Sequence, residues 1–224
     1  MEEIDLVEDY PARIAEMLLN DEIDIGLIPV AATIKMKEWH IVGDYCIGTE
    51  GEVASVCIFS QVPMEEIEEV LLDYQSRTSV ALGKILLKKY WKKEVKLTDA
   101  RGEDFRSRIS GTTAGLVIGD RALEQRTSSQ YIYDLGTAWK AHTGLPFVFA
   151  AWISNKPVSP EFILKFNHAL GSGISMMDDV IKEIDFPIYD IKEYYKKNIS
   201  YRLDKEKMKG MQLFLSLLNG SGTH

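Results

Sequence analysis

From residue 71 the chain reads Leu71-Leu72-Asp73-Tyr74-Gln75-Ser76-Arg77-Thr78-Ser79, an apolar strand passing through a short loop into a helix start rich in hydroxyls. Such a junction suits an anion. The first amide N–H groups of a helix lack internal acceptors and carry the positive end of its dipole, so a carboxylate or phosphate finds donors there without net positive charge. Thr78 and Ser79 add hydroxyls, and Arg77 stands between them and Ser76. The competing reading is that Ser76 only caps the helix, a frequent role for serine before an apolar periodic segment. A second candidate is Gly119-Asp120 at the end of Leu116-Val117-Ile118, since ligands of α/β sheets collect beyond the carboxyl ends of strands. Asp120 there can receive a hydroxyl, act as a base, or simply cap the next helix. A third is Ser55, at a strand start after the turn Gly48-Thr49-Glu50-Gly51.

Other chemistries find less support. There is no Walker A sequence, no GxGxxG after a strand and no GxSxG elbow, and none of His40, His142, His168 and His224 is patterned with a nucleophile. Cys46 and Cys57 lie in apolar surroundings without metal-ligand spacing, which reads as buried thiols, with no metal. Acidic residues outnumber basic ones 34 to 26, giving a formal charge of −8 and no footprint for nucleic acid or an anionic membrane. No apolar run approaches the roughly 20 residues of a membrane span, and the acidic start is unlike a signal peptide, so a cytoplasmic protein is expected.

The elements that must position these residues follow from periodicity. At 224 residues and 46% hydrophobic content the chain can bury a substantial core. Ile14, Met17 and Leu18 share a helical face behind Pro11, and Ile23–Val30 reads as a strand running into a loop. Val53–Ser60, Val70–Asp73, Gly115–Gly119 and Phe147–Ile153 read as strands, Val95–Thr98 as a weak one, and Trp39–Val42 as a short one. Helices are expected over Arg77–Trp91, Glu103–Ile109, from Asp120, and over Thr137–Thr143. From Ser159 onward every segment looks helical. Strands alternating with helices predict α/β architecture with mostly parallel sheets.

Taken in order, Asp24-Ile25-Gly26-Leu27-Ile28-Pro29-Val30, Asp44-Tyr45-Cys46-Ile47-Gly48, Ser76-Arg77-Thr78-Ser79, Ile118-Gly119-Asp120 and Thr143-Gly144-Leu145-Pro146-Phe147-Val148-Phe149-Ala150 resemble the chorismate dehydratases of the futalosine-type menaquinone pathway. Tyr194, Ile199-Ser200-Tyr201, Leu203-Asp204 and Gly210 are similar to that family's tail. The resemblance implies a two-lobed, type 2 periplasmic-binding-protein-like fold, with 1–60 and 150–224 in lobe I, 61–149 in lobe II, and a helical C-terminal tail. It implies loss of water from chorismate to give 3-[(1-carboxyvinyl)oxy]benzoate, without metal or organic cofactor. Carried over by motif, Ser55, Thr78 and Ser79 hold substrate carboxylates, Arg77 belongs to the same motif, and Gly119 and Asp120 line the opposite wall. The implied partner is the small-molecule substrate, with homodimer formation left open. Two further readings share the fold: a small-carboxylate-binding protein, and the later enzyme of the same pathway that acts on a cyclic futalosine derivative. Family members begin with a strand and a Ser-Tyr-Leu-Asn-like turn, and Met1–Val7 corresponds to the family's second strand, so a longer natural chain is expected.

Overall fold

A computed structural model describes residues 4–100 and 105–220. Helix α1 (Pro11–Leu19) starts at Pro11, whose missing N–H costs nothing in a first turn, and buries Ala12, Ile14, Ala15 and Leu18. It packs on β1 (Ile25–Pro29), which leads through a 3₁₀ turn (Val30–Lys35) into β2 (His40–Thr49). These strands join β8 (Phe147–Ser154) and β9 (Ser200–Arg202) in a four-stranded sheet of order β1-β8-β2-β9. A five-stranded sheet of order β5-β4-β6-β3-β7 holds β3 (Val56–Ser60), β4 (Glu69–Asp73), β5 (Lys96–Ala100), β6 (Thr113–Ile118) and β7 (Tyr131–Asp134).

The helices attached to the second sheet are α2 (Arg77–Lys89), α3 (Asp120–Gln125) and α4 (Leu135–Thr143). After β8 come α5 (Pro160–Ser175), α6 (Met177–Glu183), the short α7 (Ile191–Glu193), a π-turn (Tyr194–Asn198), β9 and the long α8 (Lys205–Gly220). This is the two-sheet α/β arrangement that the sequence predicts.

Strand direction departs from expectation. Among the described residues only β4 with β5 and β4 with β6 are parallel; every pair in the first sheet, and both pairs of β3, run antiparallel. Helix–strand alternation carries no direction, and the chain enters the second sheet along β3 and returns along β8, against their neighbours. Val56–Ser60, expected in the first lobe, is hydrogen bonded to β6 and β7 and so lies in the second sheet. The tail is also not wholly helical, because Ser200–Arg202 pairs with β2. Three residues, two of them polar, leave no periodic signal. Ile4–Val7, expected to match a family strand, joins no ladder, and Leu6 is 73% exposed. The helix expected over Glu103–Ile109 begins outside the described residues, and Phe105–Arg108 forms a single 3₁₀ turn.

The second sheet sorts its side chains by the two-residue period of a strand. Ile58, Val70, Leu72, Ala114 and Leu116 face the main core, which also takes Ile28, Val148, Ala151, Trp139 and Phe214. Cys57, Phe59, Leu71 and Val117 face a smaller cluster closed by Phe105, Ile109 and Ala122. Both thiols are buried and free, as expected; burial raises the Cys46 pKa to about 12 and holds Cys57 well above its ordinary value. Among the described residues no helix is long and apolar enough to cross a membrane.

Candidate active site

The ladder registers put all the candidate residues at one end of the second sheet. The carboxyl ends of β4 and β6 and the start of β3 coincide there, with Leu72 opposite Leu116 and Val56 opposite Ile118. The connections at that end carry Tyr74–Ser76 after β4, Gly119 before α3 and Glu50–Ser55 before β3.

Ser76 caps α2: its Oγ accepts from the Ser79 N–H at 3.2 Å and donates to Ser79 Oγ at 2.9 Å. Ser76 thus caps the helix by taking the Ser79 N–H, while the N–H groups of Arg77 and Thr78 have no acceptor within the helix. Thr78 and Ser79 are buried, however, at 0% and 2% exposure. The 3₁₀ turn after β1 covers them, and the Ala31 N–H donates to Thr78 Oγ1 at 3.1 Å. Arg77 reaches the other way, with its guanidinium 3.3 Å from Glu16 on α1. Two contacts thus fasten the start of α2 to the elements that flank β1.

Ser55 and Gly119 meet directly. The Gly119 N–H donates to the Ser55 carbonyl at 2.8 Å, and Tyr194 Oη donates to Ser55 Oγ at 2.9 Å. Gly119 has φ 65° and ψ −149°, a region that is essentially glycine-only, which explains why the β6–α3 turn needs that residue. Asp120 is exposed, and its charge raises the pKa of both Tyr194 and Tyr195, although burial is the larger cause in each.

The Glu50–Ser55 link is held in an unusual shape, with Ala54 at φ 62°. Asp134 accepts from the N–H groups of Val53 (3.1 Å), Ala54 (2.8 Å) and Thr137 (2.8 Å), so one carboxylate caps α4 and clamps the link. Burial raises the Asp134 pKa against the pull of those bonds. Arg126 donates to the Ala54 carbonyl at 3.1 Å and pairs with Glu52 at 2.9 Å, and Asn198 Nδ2 donates to the Glu52 carbonyl at 3.3 Å.

A second ion pair joins the two halves of the sheet end. Arg121, beside Asp120, donates to Asp73 Oδ2 at 2.6 Å and to Gln75 Oε1 at 2.8 Å, and Asp73 in turn accepts the Gln75 N–H at 3.0 Å. Sequence reasoning singled out Gly119-Asp120 but missed Asp73, Arg121, Arg126, Asp134 and the contact made by Tyr194. Of these only Asp134 had a local signal, an N-cap before a helical segment; the others act through partners distant in sequence.

A polar, anion-compatible floor results: a helix start with buried hydroxyls on one side, and Ser55, Gly119, Asp120 and Tyr194 on the other. Surface cavities among the described residues include the following two. One, lined by Asp24, Lys156, Ser159 and Phe162, is remote from it; the other, an apolar groove of about 190 Å³, borders Tyr195 and Tyr201.

Comparison with known proteins gives one consistent picture. Residues 1–219 match the model of a family described as menaquinone biosynthesis. A protein of Thermus thermophilus named chorismate dehydratase is 26% identical over 93% of this chain and 84% of its own length. Among solved structures, protein AF1704 of Archaeoglobus fulgidus superposes with a TM-score of 0.70 at 12% identity, covering 98% of this chain and 86% of that one. The periplasmic aliphatic sulphonate binding protein of Escherichia coli gives 0.57 at 14%, over 95% and 79%. The structural matches establish a periplasmic-binding-protein-like fold.

Proposed function

We propose, from the premise that this chain belongs to the menaquinone biosynthesis family, that it removes water from chorismate to form 3-[(1-carboxyvinyl)oxy]benzoate, in the futalosine route to menaquinone. The observation that carries this reading is the convergence of Ser55, Gly119–Asp120 and the α2 start at one end of the five-stranded sheet, in a chain 26% identical to a chorismate dehydratase over nearly its whole length.

The chemistry asks little beyond placement. Chorismate carries two carboxylates, and its ring becomes aromatic once a hydroxyl and a proton leave. The protein must orient the substrate and stabilise the negative charge that develops as the proton departs. Helix N–H groups and the hydroxyls of Thr78, Ser79 and Ser55 supply such donors without a net positive charge. In this reading the first-turn N–H groups of α2 complete the carboxylate site on that side, Arg77 joins it only on leaving Glu16, and Gly119 and Asp120 form the facing wall.

Because Thr78 and Ser79 are buried beneath the 3₁₀ turn, a substrate carboxylate reaches them only when the Ala31–Thr78 contact opens. Substrate binding is therefore coupled to movement between the elements around β1 and those of the second sheet.

The test is direct. Incubation of the protein with chorismate should remove the cyclic diene absorbance and yield an aromatic product lighter by one water. Chorismate bound without any change in that absorbance would leave a binding protein and end the enzymatic reading.

A further inference from the structure

Ser55 is fixed in every respect but one. Its side chain is buried, its N–H donates to the Val53 carbonyl at 2.7 Å, and its own carbonyl accepts from Gly119. Only the hydroxyl proton can turn, and a serine hydroxyl has one proton to give and two lone pairs to offer. Tyr194 Oη, 2.9 Å away, donates to that oxygen.

The reach of Tyr194 comes from local backbone. Residues 194–198 form a π-turn, a widened turn that often marks functional segments. It directs Tyr194 and Asn198 to the same link, Tyr194 to Ser55 and Asn198 to the Glu52 carbonyl. Tyr189 donates to Asn198 Oδ1 at 3.3 Å and its ring meets that of Tyr194 edge-on at 6.4 Å, so the phenol is braced from behind.

We propose that Tyr194 is a positioning residue: by occupying a lone pair of Ser55 Oγ it turns the Ser55 proton outward, making Ser55 a committed donor to a substrate carboxylate. The assignment rests on the dehydratase reading for the identity of the substrate, but its hydrogen-bond logic applies to any carboxylate ligand of Ser55.

The test is a double-mutant cycle of Tyr194→Phe and Ser55→Ala, read in two ways: steady-state turnover of chorismate, and calorimetric binding of isophthalate, an unreactive ring bearing two carboxylates. Tyr194→Phe keeps the ring and loses only the donor. It should raise KM and the isophthalate Kd by about three- to tenfold, the span of one ordinary hydrogen bond, with kcat nearly unchanged. In the Ser55→Ala background the same change should have no effect on either constant, because its target is gone. Equal effects in both backgrounds, or no effect in the parent, would overturn the assignment. If Tyr194→Phe does not fold, 3-fluorotyrosine placed at position 194, a stronger donor of nearly the same size, should lower the isophthalate Kd, and an unchanged Kd would count against it. A protein that leaves chorismate intact but binds isophthalate with the predicted coupling retains the positioning role while the dehydratase reading fails. One that binds neither ligand loses both.

Discussion

Thr78 shows how a candidate binding residue can also be a structural one. Its hydroxyl is buried and accepts the Ala31 N–H, so Thr78→Val removes the acceptor and leaves that amide stranded. A loss of about 1–3 kcal/mol in denaturant unfolding is expected, the cost of an unsatisfied buried donor. Ser79→Ala, which trims only the hydroxyl paired with Ser76, should weaken ligand binding with a stability change below about 1 kcal/mol. Asp73 is the more severe case. Its carboxylate is fully buried and faces a guanidinium only 23% exposed, so Arg121→Met should cost about 3–5 kcal/mol by stranding the charge. Adding Asp73→Leu to that variant should recover most of the loss, because no unpaired charge then remains. The contrast explains what could be read beforehand. Ser76 acts on a residue three positions away and declares itself in the sequence, whereas Asp73 and Arg121 are 48 residues apart and nothing local pairs them.

The elements that hold the site are themselves held by buried polar contacts at the end of the chain. Helix α8 docks through Lys207, whose side chain is 1% exposed and whose ammonium pairs with Glu50, at the head of the Ser55 link, and with Asp204 at 3.3 Å. Burial pushes the Lys207 pKa down, but the two carboxylates outweigh it and the net shift is upward. Asp204 is shifted below its ordinary 3.8, first by the N–H of Lys207, whose amide it caps at 2.9 Å. The signs are opposite: the Asp204 contribution is complete above pH 3.8 and fades as pH falls through its lower folded value, while that of Lys207 is complete below 10.5 and fades as pH rises through its higher one. The stability gap between the parent and Asp204→Asn should therefore shrink on acidification below pH 3.8, measured by urea unfolding across that range. Close approach is the second constraint. A Cβ on Gly210 would lie 2.1 Å from the Pro146 carbonyl oxygen, which also accepts from Trp139 Nε1, so Gly210→Ala should cost about 1–3 kcal/mol by driving α8 off β8. Helix α8 was legible from its apolar spacing, and its long partner β8 from an unbroken apolar run. Strand β9 was not: Ser200-Tyr201-Arg202 owes its strand form to the edge of β2 and not to its own composition.

Across the whole molecule one hydrophobic core joins the two sheets. Their inner faces meet in one core that draws Ile28, Val148 and Ala151 from the first sheet and Val70, Leu72 and Leu116 from the second, with α2, α4 and α8 wedged between. Trp139 sits at its centre, fully buried, with edge-on contacts to Phe147 at 5.2 Å and Phe214 at 6.3 Å. Neither sheet can lose its partner without exposing that surface, so the lobes should not melt independently. Unfolding followed by tryptophan fluorescence and by far-ultraviolet circular dichroism should give one coincident transition. Two separated transitions would mean that the shared core contributes less than the cores of the separate lobes. The same coupling fixes what a ligand does. A dicarboxylate bound as proposed, between the α2 start and the Ser55 side, would bind only the folded chain, and at a hundredfold excess over its Kd it should stabilise that single transition by about 2.7 kcal/mol. The fluorescence and dichroism curves should move together, since the shared core keeps the first sheet from unfolding while the ligand holds the second.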